Sequence, residues 1–219
     1  MRGRVGRDRA AAGREAALGR AGRCALTRHS LLGRLLPRRP RDVARLIART
    51  TDLRVEILAG SLVLSRTDCP TRAVVVRQLA AGIEEHMAVV EAPSVRMPMD
   101  PDDFVVPDLA AIAGVTDPAD RTVQTKDVQL AVEVVPRQWK GPGGHHKEDW
   151  YAVACVRALL IVDPRDGTWR LCRRPRDGRY REVRSGAYGD EVALPVPLSF
   201  LLTTRRLPRY ASGGPPAAR

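Results

Sequence analysis

At 219 residues, 44% of them hydrophobic, the chain is long enough for one domain with a packed core. Apolar runs such as 130–135 and 159–162 have strand length, well short of the roughly 20 residues a membrane-spanning helix needs. The formal charge of +12 would suggest a nucleic-acid binder, but residues 1–50 carry 14 Arg against only Asp8, Glu15 and Asp42, so +11 of that charge lies there. The rest of the chain is close to neutral, and the extreme isoelectric point says little about its function.

In chain order, residues 1–40 are Arg/Ala/Gly-rich without clean periodicity and close on Pro37-Arg38-Arg39-Pro40, the composition of a basic, disordered segment. Arg41–Thr50 places Val43, Leu46 and Ile47 at helical spacing. Leu53–Leu58 and Ser61–Ser65 flank Ala59-Gly60 and read as a β-hairpin. Thr71–Met87 carries Val75, Leu79 and Ile83 one turn apart, an amphipathic helix starting near Asp68-Cys69-Pro70-Thr71. Short strands are expected at Val89-Val90 and Ser94–Met97, then a turn at Asp100–Asp103 and an apolar run over Phe104–Ile112 interrupted by Pro107-Asp108.

Thr116–Arg121 reads as a loop, Val128–Val135 as a strand apolar on both faces, and Lys140–Gly144 as a glycine-rich loop. A helix over His145–Val156 and a buried strand at Ala158–Val162 follow. Asp166-Gly167 and Asp177-Gly178 are hairpin turn signals beside Thr168–Leu171 and Tyr180–Val183. The succession implies an α/β fold, a mixed sheet flanked by helices with added N-terminal and C-terminal hairpins. Residues 41–205 form the expected domain and 206–219 a flexible tail.

The chemistry concentrates on a few polar residues inside apolar strands. Glu133 interrupts Leu130-Ala131-Val132-Glu133-Val134-Val135, and Asp108 stands in a similar run. A buried ionised carboxylate is costly unless it is paired or bound to a metal. Only three lysines occur, Lys126, Lys140 and Lys147, in a chain that otherwise uses Arg, and a retained Lys offers a compact charge that Arg does not imitate. Two carboxylates on neighbouring strands suit Mg²⁺, which polarises a phosphoryl group, and a nearby ammonium steadies the charge gathering on phosphate oxygens. Cys24, Cys69, Cys155 and Cys172 form no CxxC pair, and His145-His146 with Glu148 and Asp149 lack a matched ligand set elsewhere. Phosphate loops, nucleophile elbows and dinucleotide fingerprints are missing from the sequence, so no nucleotide cofactor is expected.

The run Pro107-Asp108-Leu109, Ala131-Val132-Glu133-Val134-Val135, Lys147, Tyr151-Ala152 and Val162-Asp163-Pro164 resembles the Uma-two restriction-endonuclease family of the PD-(D/E)XK nuclease superfamily. Arg54–Gly60 resembles that family's early Glu-containing hairpin, and the likeness spans roughly residues 41–200. The resemblance implies a restriction-endonuclease-like fold, with Asp108 and Glu133 as ligands of Mg²⁺ (or Mn²⁺), Lys147 as the catalytic lysine, and Glu56 as an outer carboxylate. It also implies DNA as substrate and a homodimer as the assembly that cuts both strands. A cytoplasmic, membrane-free protein is expected.

The chain departs from the family pattern in several places. Pro136-Arg137 replaces the family's Ser-Pro, and Gly143 stands where an acid usually precedes the helix lysine. Arg72-Ala73 lies where a histidine is expected, and Val135 occupies the position that usually carries the superfamily's lysine. A degenerate relative that binds nucleic acid or a protein partner without cutting is the alternative, in which Lys147 would face solvent and Arg137 would neutralise Glu133.

Overall fold

Asp103 ties the first hairpin to the rest of the chain. Strands β1 (Leu53–Leu58) and β2 (Ser61–Arg66) meet at Ala59-Gly60, whose positive φ values of 48° and 75° are those of a tight primed turn. The Asp103 carboxylate accepts both N–H groups of that turn, Ala59 N at 2.8 Å and Gly60 N at 3.0 Å. Because the turn is fixed, the register of β1 is fixed, and with it the position of Glu56 opposite Val63.

The structure, a computed structural model, describes residues 39–114, 121–139 and 147–211. Helix α1 (Pro40–Thr50) opens on a proline, which loses nothing at a position with no helical N–H bond to make. Helix α2 (Pro70–Glu84) starts the same way and buries Val75, Val76, Leu79, Ala80 and Ile83. Then come β3 (Val89–Glu91), β4 (Ser94–Arg96), β5 (Phe104–Val105), β6 (Leu109–Ile112), β7 (Thr122–Gln124) and β8 (Val128–Val134). A short helix α3 (Glu148–Val153) precedes β9 (Ala158–Asp163), β10 (Thr168–Arg176), β11 (Arg179–Ala187), β12 (Glu191–Ala193) and β13 (Leu201–Thr203).

Among the described residues the strands form a five-stranded sheet (β2-β1-β5-β4-β7), a six-stranded sheet (β11-β10-β9-β8-β6-β3) and the small β12-β13 pair. The central β8 runs antiparallel to β6 and parallel to β9, which makes the larger sheet mixed, as expected. Leu130, Val132 and Val134 of β8 face α2 together with Leu109, Leu160 and Val162. Ala131 and the following Val135 face α3 with Ala110, Leu159 and Ile161. Both faces of β8 are covered, which explains why its sequence lacks the usual polar alternation. The exception is Glu133, which the alternation of the strand puts on the α3 face.

Some segments differ from the sequence reading. The Asp177-Gly178 turn joins two nine-residue strands, β10 and β11, longer than the apolar residues alone suggest, because exposed arginines occupy their outer positions. The helix expected over 145–156 is described only as Glu148–Val153, after Lys147. Residues 206–211 are not a loose tail. Leu207 is buried, Tyr210 donates its hydroxyl to the Val135 carbonyl at 2.8 Å, and its N–H bonds Pro164 at 2.9 Å. The domain therefore reaches at least Ala211. The segment 1–38, the glycine loop 140–144, His145-His146 and most of the 116–121 loop lie outside the described residues.

Candidate active site

Four elements bring the candidate residues together: Glu56 comes from the middle of β1, Asp108 from the residue before β6, Glu133 from the end of β8, and Lys147 from the residue capping α3. Asp108 enters β6 beside β8, its N–H bonding the Val132 carbonyl at 2.9 Å and its Oδ2 accepting the Val134 N–H at 2.7 Å. Glu56 Oε1 accepts the Val106 N–H at 2.7 Å, which ties β1 to the link between β5 and β6.

Lys147 sits between two of the acids. Its Nζ lies 2.7 Å from Glu56 Oε1 and 3.1 Å from Glu133 Oε1, and it also reaches Glu133 Oε2 at 3.2 Å. Tyr151, four residues later and fully buried, donates its hydroxyl to Glu133 Oε1 at 2.6 Å. A helix returns to the same face after four residues, so one turn delivers both donors to one carboxylate.

Asp108 is held differently. Its Oδ1 accepts Arg54 Nη2 at 2.9 Å and Arg72 Nη2 at 2.7 Å. Arg54 stands two residues before Glu56 on β1, hence on the same face, and Arg72 lies in the first turn of α2. The two side chains of the Arg54–Asp108 pair are 8% and 2% exposed, whereas those of the Lys147–Glu133 pair are 11% and 14% exposed. The site thus has a closed end at Asp108 and a more open end at Glu133.

These surroundings set the protonation states. Burial would raise the pKa of Asp108, but Arg54 and Arg72 outweigh it and hold the carboxyl below its ordinary range. Burial raises that of Glu133, with Lys147 opposing and Glu56 and Asp108 reinforcing the rise. Burial would lower that of Lys147, yet Glu133 and Glu56 prevail and keep it above its ordinary value, so Lys147 is an ammonium at neutral pH. Burial and the neighbouring Glu133 push the Tyr151 hydroxyl up, so it stays a neutral donor.

The four residues singled out in the sequence therefore form one cluster, and Lys147 points inward rather than to solvent. Arg137 donates to the Ala211 carbonyl at 3.0 Å. Arg54, Arg72 and Tyr151 are the participants that the sequence reading did not assign to the site. The arginine in place of the expected histidine at the start of α2 was the available signal for one of them.

The donor set can be tested for a divalent ion. Mg²⁺ demands carboxylate or water oxygens with free lone pairs in near-octahedral array. Here Asp108 Oδ1 and Glu133 Oε1 each already accept two bonds, as does Glu56 Oε1. Three acids, Glu56, Asp108 and Glu133, face three cations, Arg54, Arg72 and Lys147. As arranged, the residues do not fit a divalent ion, because the chain's own cations fill its place.

The model of the Uma2 (Uma-two) family, described as "Putative restriction endonuclease", matches residues 40–205. The chain belongs to this family. A crystal structure described as "a putative nuclease belonging to DUF820 from Anabaena variabilis" superposes with a TM-score of 0.51 at 12% identity, covering 70% of this chain and 88% of that one. At that identity the likeness concerns fold alone, and it agrees with the α/β nuclease-like architecture. No curated protein sequence matches this chain. Among the described residues no helix is long and apolar enough to cross a membrane.

Proposed function

We propose that this Uma2 protein is an endonuclease that hydrolyses phosphodiester bonds in DNA, with Glu133 and Lys147 as its reacting centre and Asp108 as the buried anchor beside them. The observation that carries this reading is the convergence of Glu56 and Glu133 on the Lys147 ammonium, at 2.7 and 3.1 Å, one strand away from Asp108. A buried, well-fixed ion cluster at the more open end of a nuclease fold is the arrangement expected where charge develops during reaction.

The roles follow from the protonation states. Lys147 keeps its proton, so it supplies positive charge to the phosphoryl oxygens and does not act as a base. Glu133, the most exposed of the three acids, takes the proton of the attacking water. The water's oxygen bonds phosphorus as the P–O bond to the departing strand breaks, and the departing alkoxide takes a proton from solvent. Tyr151 orients Glu133, and Glu56 fixes the Lys147 side chain from the other side. Mg²⁺ or Mn²⁺ would gain Asp108 as a ligand only where Arg54 and Arg72 leave it.

A second reading rests on those same arginines. Asp108 with two guanidinium partners is what a nuclease fold that binds nucleic acid or a partner protein without cutting would carry. Incubation of supercoiled plasmid with the full chain, with and without Mg²⁺ or Mn²⁺, separates the two. Nicking that is lost in Glu133→Gln supports hydrolysis. An intact plasmid under all conditions, with the protein folded and bound to it, supports the second reading.

A further inference from the structure

The arginines of the described domain fall into two classes. Most that line the site or the β10-β11 hairpin have an acid partner: Arg54 and Arg72 hold Asp108, and Arg173 and Arg174 both hold Glu182. A different group surrounds a cleft of about 540 Å³ beside α1, within the size range of ligand pockets. Its charged lining comprises Arg41, Arg45, Arg54, Arg96, Arg121 and Asp52. Arg54 is paired with Asp108 and Arg45 with Asp42, which leaves Arg41, Arg96 and Arg121 without an acid partner among the described residues.

These cations crowd one another. The Arg41 guanidinium is held below its ordinary value, first by burial and then by Arg96 and Arg45. Arg41 donates to the Pro101 carbonyl at 3.0 Å, and Arg45 lies 3.6 Å from Asp42 on the exposed side of α1. Arg96 has a buried Nε without a hydrogen-bond partner, and Arg54 leaves Nε and Nη1 in the same condition although its Nη2 holds Asp108. Buried donors with nothing to donate to are costly in a folded protein unless a ligand completes them. A guanidinium presents a planar fork matched to a phosphate's oxygens.

We propose that this cleft is a phosphate-binding track, in which Arg41, Arg96 and Arg121 hold backbone phosphates of DNA beside the reacting centre. Arg54 links the two regions, because it lines the cleft and bonds Asp108. The inference rests on the nucleic-acid half of the proposed function and not on cutting. A second arginine-lined cavity, formed by Arg157, Arg173 and Arg174 with Pro195 and Val196, provides the contrast, since Arg173 and Arg174 are both fixed on the Glu182 carboxylate, which offsets one of their two charges.

The test is binding of a labelled DNA duplex to the full chain across a salt series, for the wild type, exposed Arg121→Gln, the triple variant R41Q/R96Q/R121Q, and Arg174→Gln as a control matched in charge to Arg121→Gln. Thermal melts show that each variant is folded. The expected result is at least a tenfold loss of affinity in the triple variant, with a salt slope shallower by about two to three, roughly one per phosphate contact removed. Arg121→Gln is expected to lose part of this, and Arg174→Gln none. Equal binding and slope in the wild type and the triple variant would overturn the track while leaving the nuclease reading intact. Loss of binding in the triple variant without plasmid cutting by the wild type would support the track and defeat hydrolysis. Binding of inorganic phosphate in the cleft, with no duplex bound, would assign it to a small phosphate ligand and overturn the proposal.

Discussion

Asp108, at the entry to β6, and Glu133, on the neighbouring β8, are treated by the chain in opposite ways. Asp108 is almost sealed, gripped by two guanidinium groups and a backbone N–H, and its charge is locked on. Glu133 is more exposed, held by one ammonium and one phenol, and its proton affinity is raised. Two acids from one family motif therefore need not share one role. A carboxylate neutralised by arginines acts as a structural anchor, and one poised near an ammonium and solvent is available for proton transfer.

The largest effect that would break this contrast is on stability. Asp108→Ala leaves Arg54 and Arg72 buried without their counter-ion and is expected to cost about 3–5 kcal/mol, a drop of roughly 10 °C in Tm by thermal denaturation. Glu133→Gln keeps an acceptor for Tyr151 and should cost well under half as much, while lowering cleavage about 100-fold or more. If the two substitutions have equal effects on Tm, the division of labour is wrong.

A second test opens the closed end. In Arg72→Gln, Asp108 loses one of its two cations, and Mg²⁺ measured by calorimetry is expected to bind at least tenfold more tightly than to the wild type. Unchanged affinity would mean that the arginines do not compete with metal.

The pH dependence sharpens the contrast further. Asp108 has a lowered pKa, so its stabilisation is present above its ordinary value of 3.8 and is lost as pH falls through the folded value. Lys147 has a raised pKa, so its contribution is present below 10.5 and is lost as pH rises through its folded value. The stability gap between wild type and Asp108→Asn should therefore close only in strong acid, and that between wild type and Lys147→Met only in strong alkali. Urea titrations at fixed pH measure both. The smallest expected effect is Tyr210→Phe, which removes one hydrogen bond to Val135 and should cost about 1 kcal/mol, or some 2–4 °C in Tm.

Much of the fold was legible because its signals are local. The Ala59-Gly60 turn, the spacing of Val75, Leu79 and Ile83, and the two-faced apolar run of β8 each state their element directly. Glu133 stood out for the same reason, as a charge in a strand with no solvent face. The partners of Asp108 were not legible. Arg54 and Arg72 are 54 and 36 positions away, and nothing in an arginine-rich sequence marks which two of its many arginines turn inward. The missing histidine near Arg72 signalled a change in the site but not its outcome. Tyr210 likewise follows a polar stretch that reads as a tail, and only the fold brings it against Val135.

The most direct test of the central claim is single-turnover cleavage of an end-labelled DNA duplex by wild type and Lys147→Met, with binding followed in the same samples. Cleavage by the wild type is expected, with at least a 100-fold slower rate in the variant and the duplex still bound. Equal rates in the two proteins, or a wild type that binds the duplex and never cuts it, would contradict that claim.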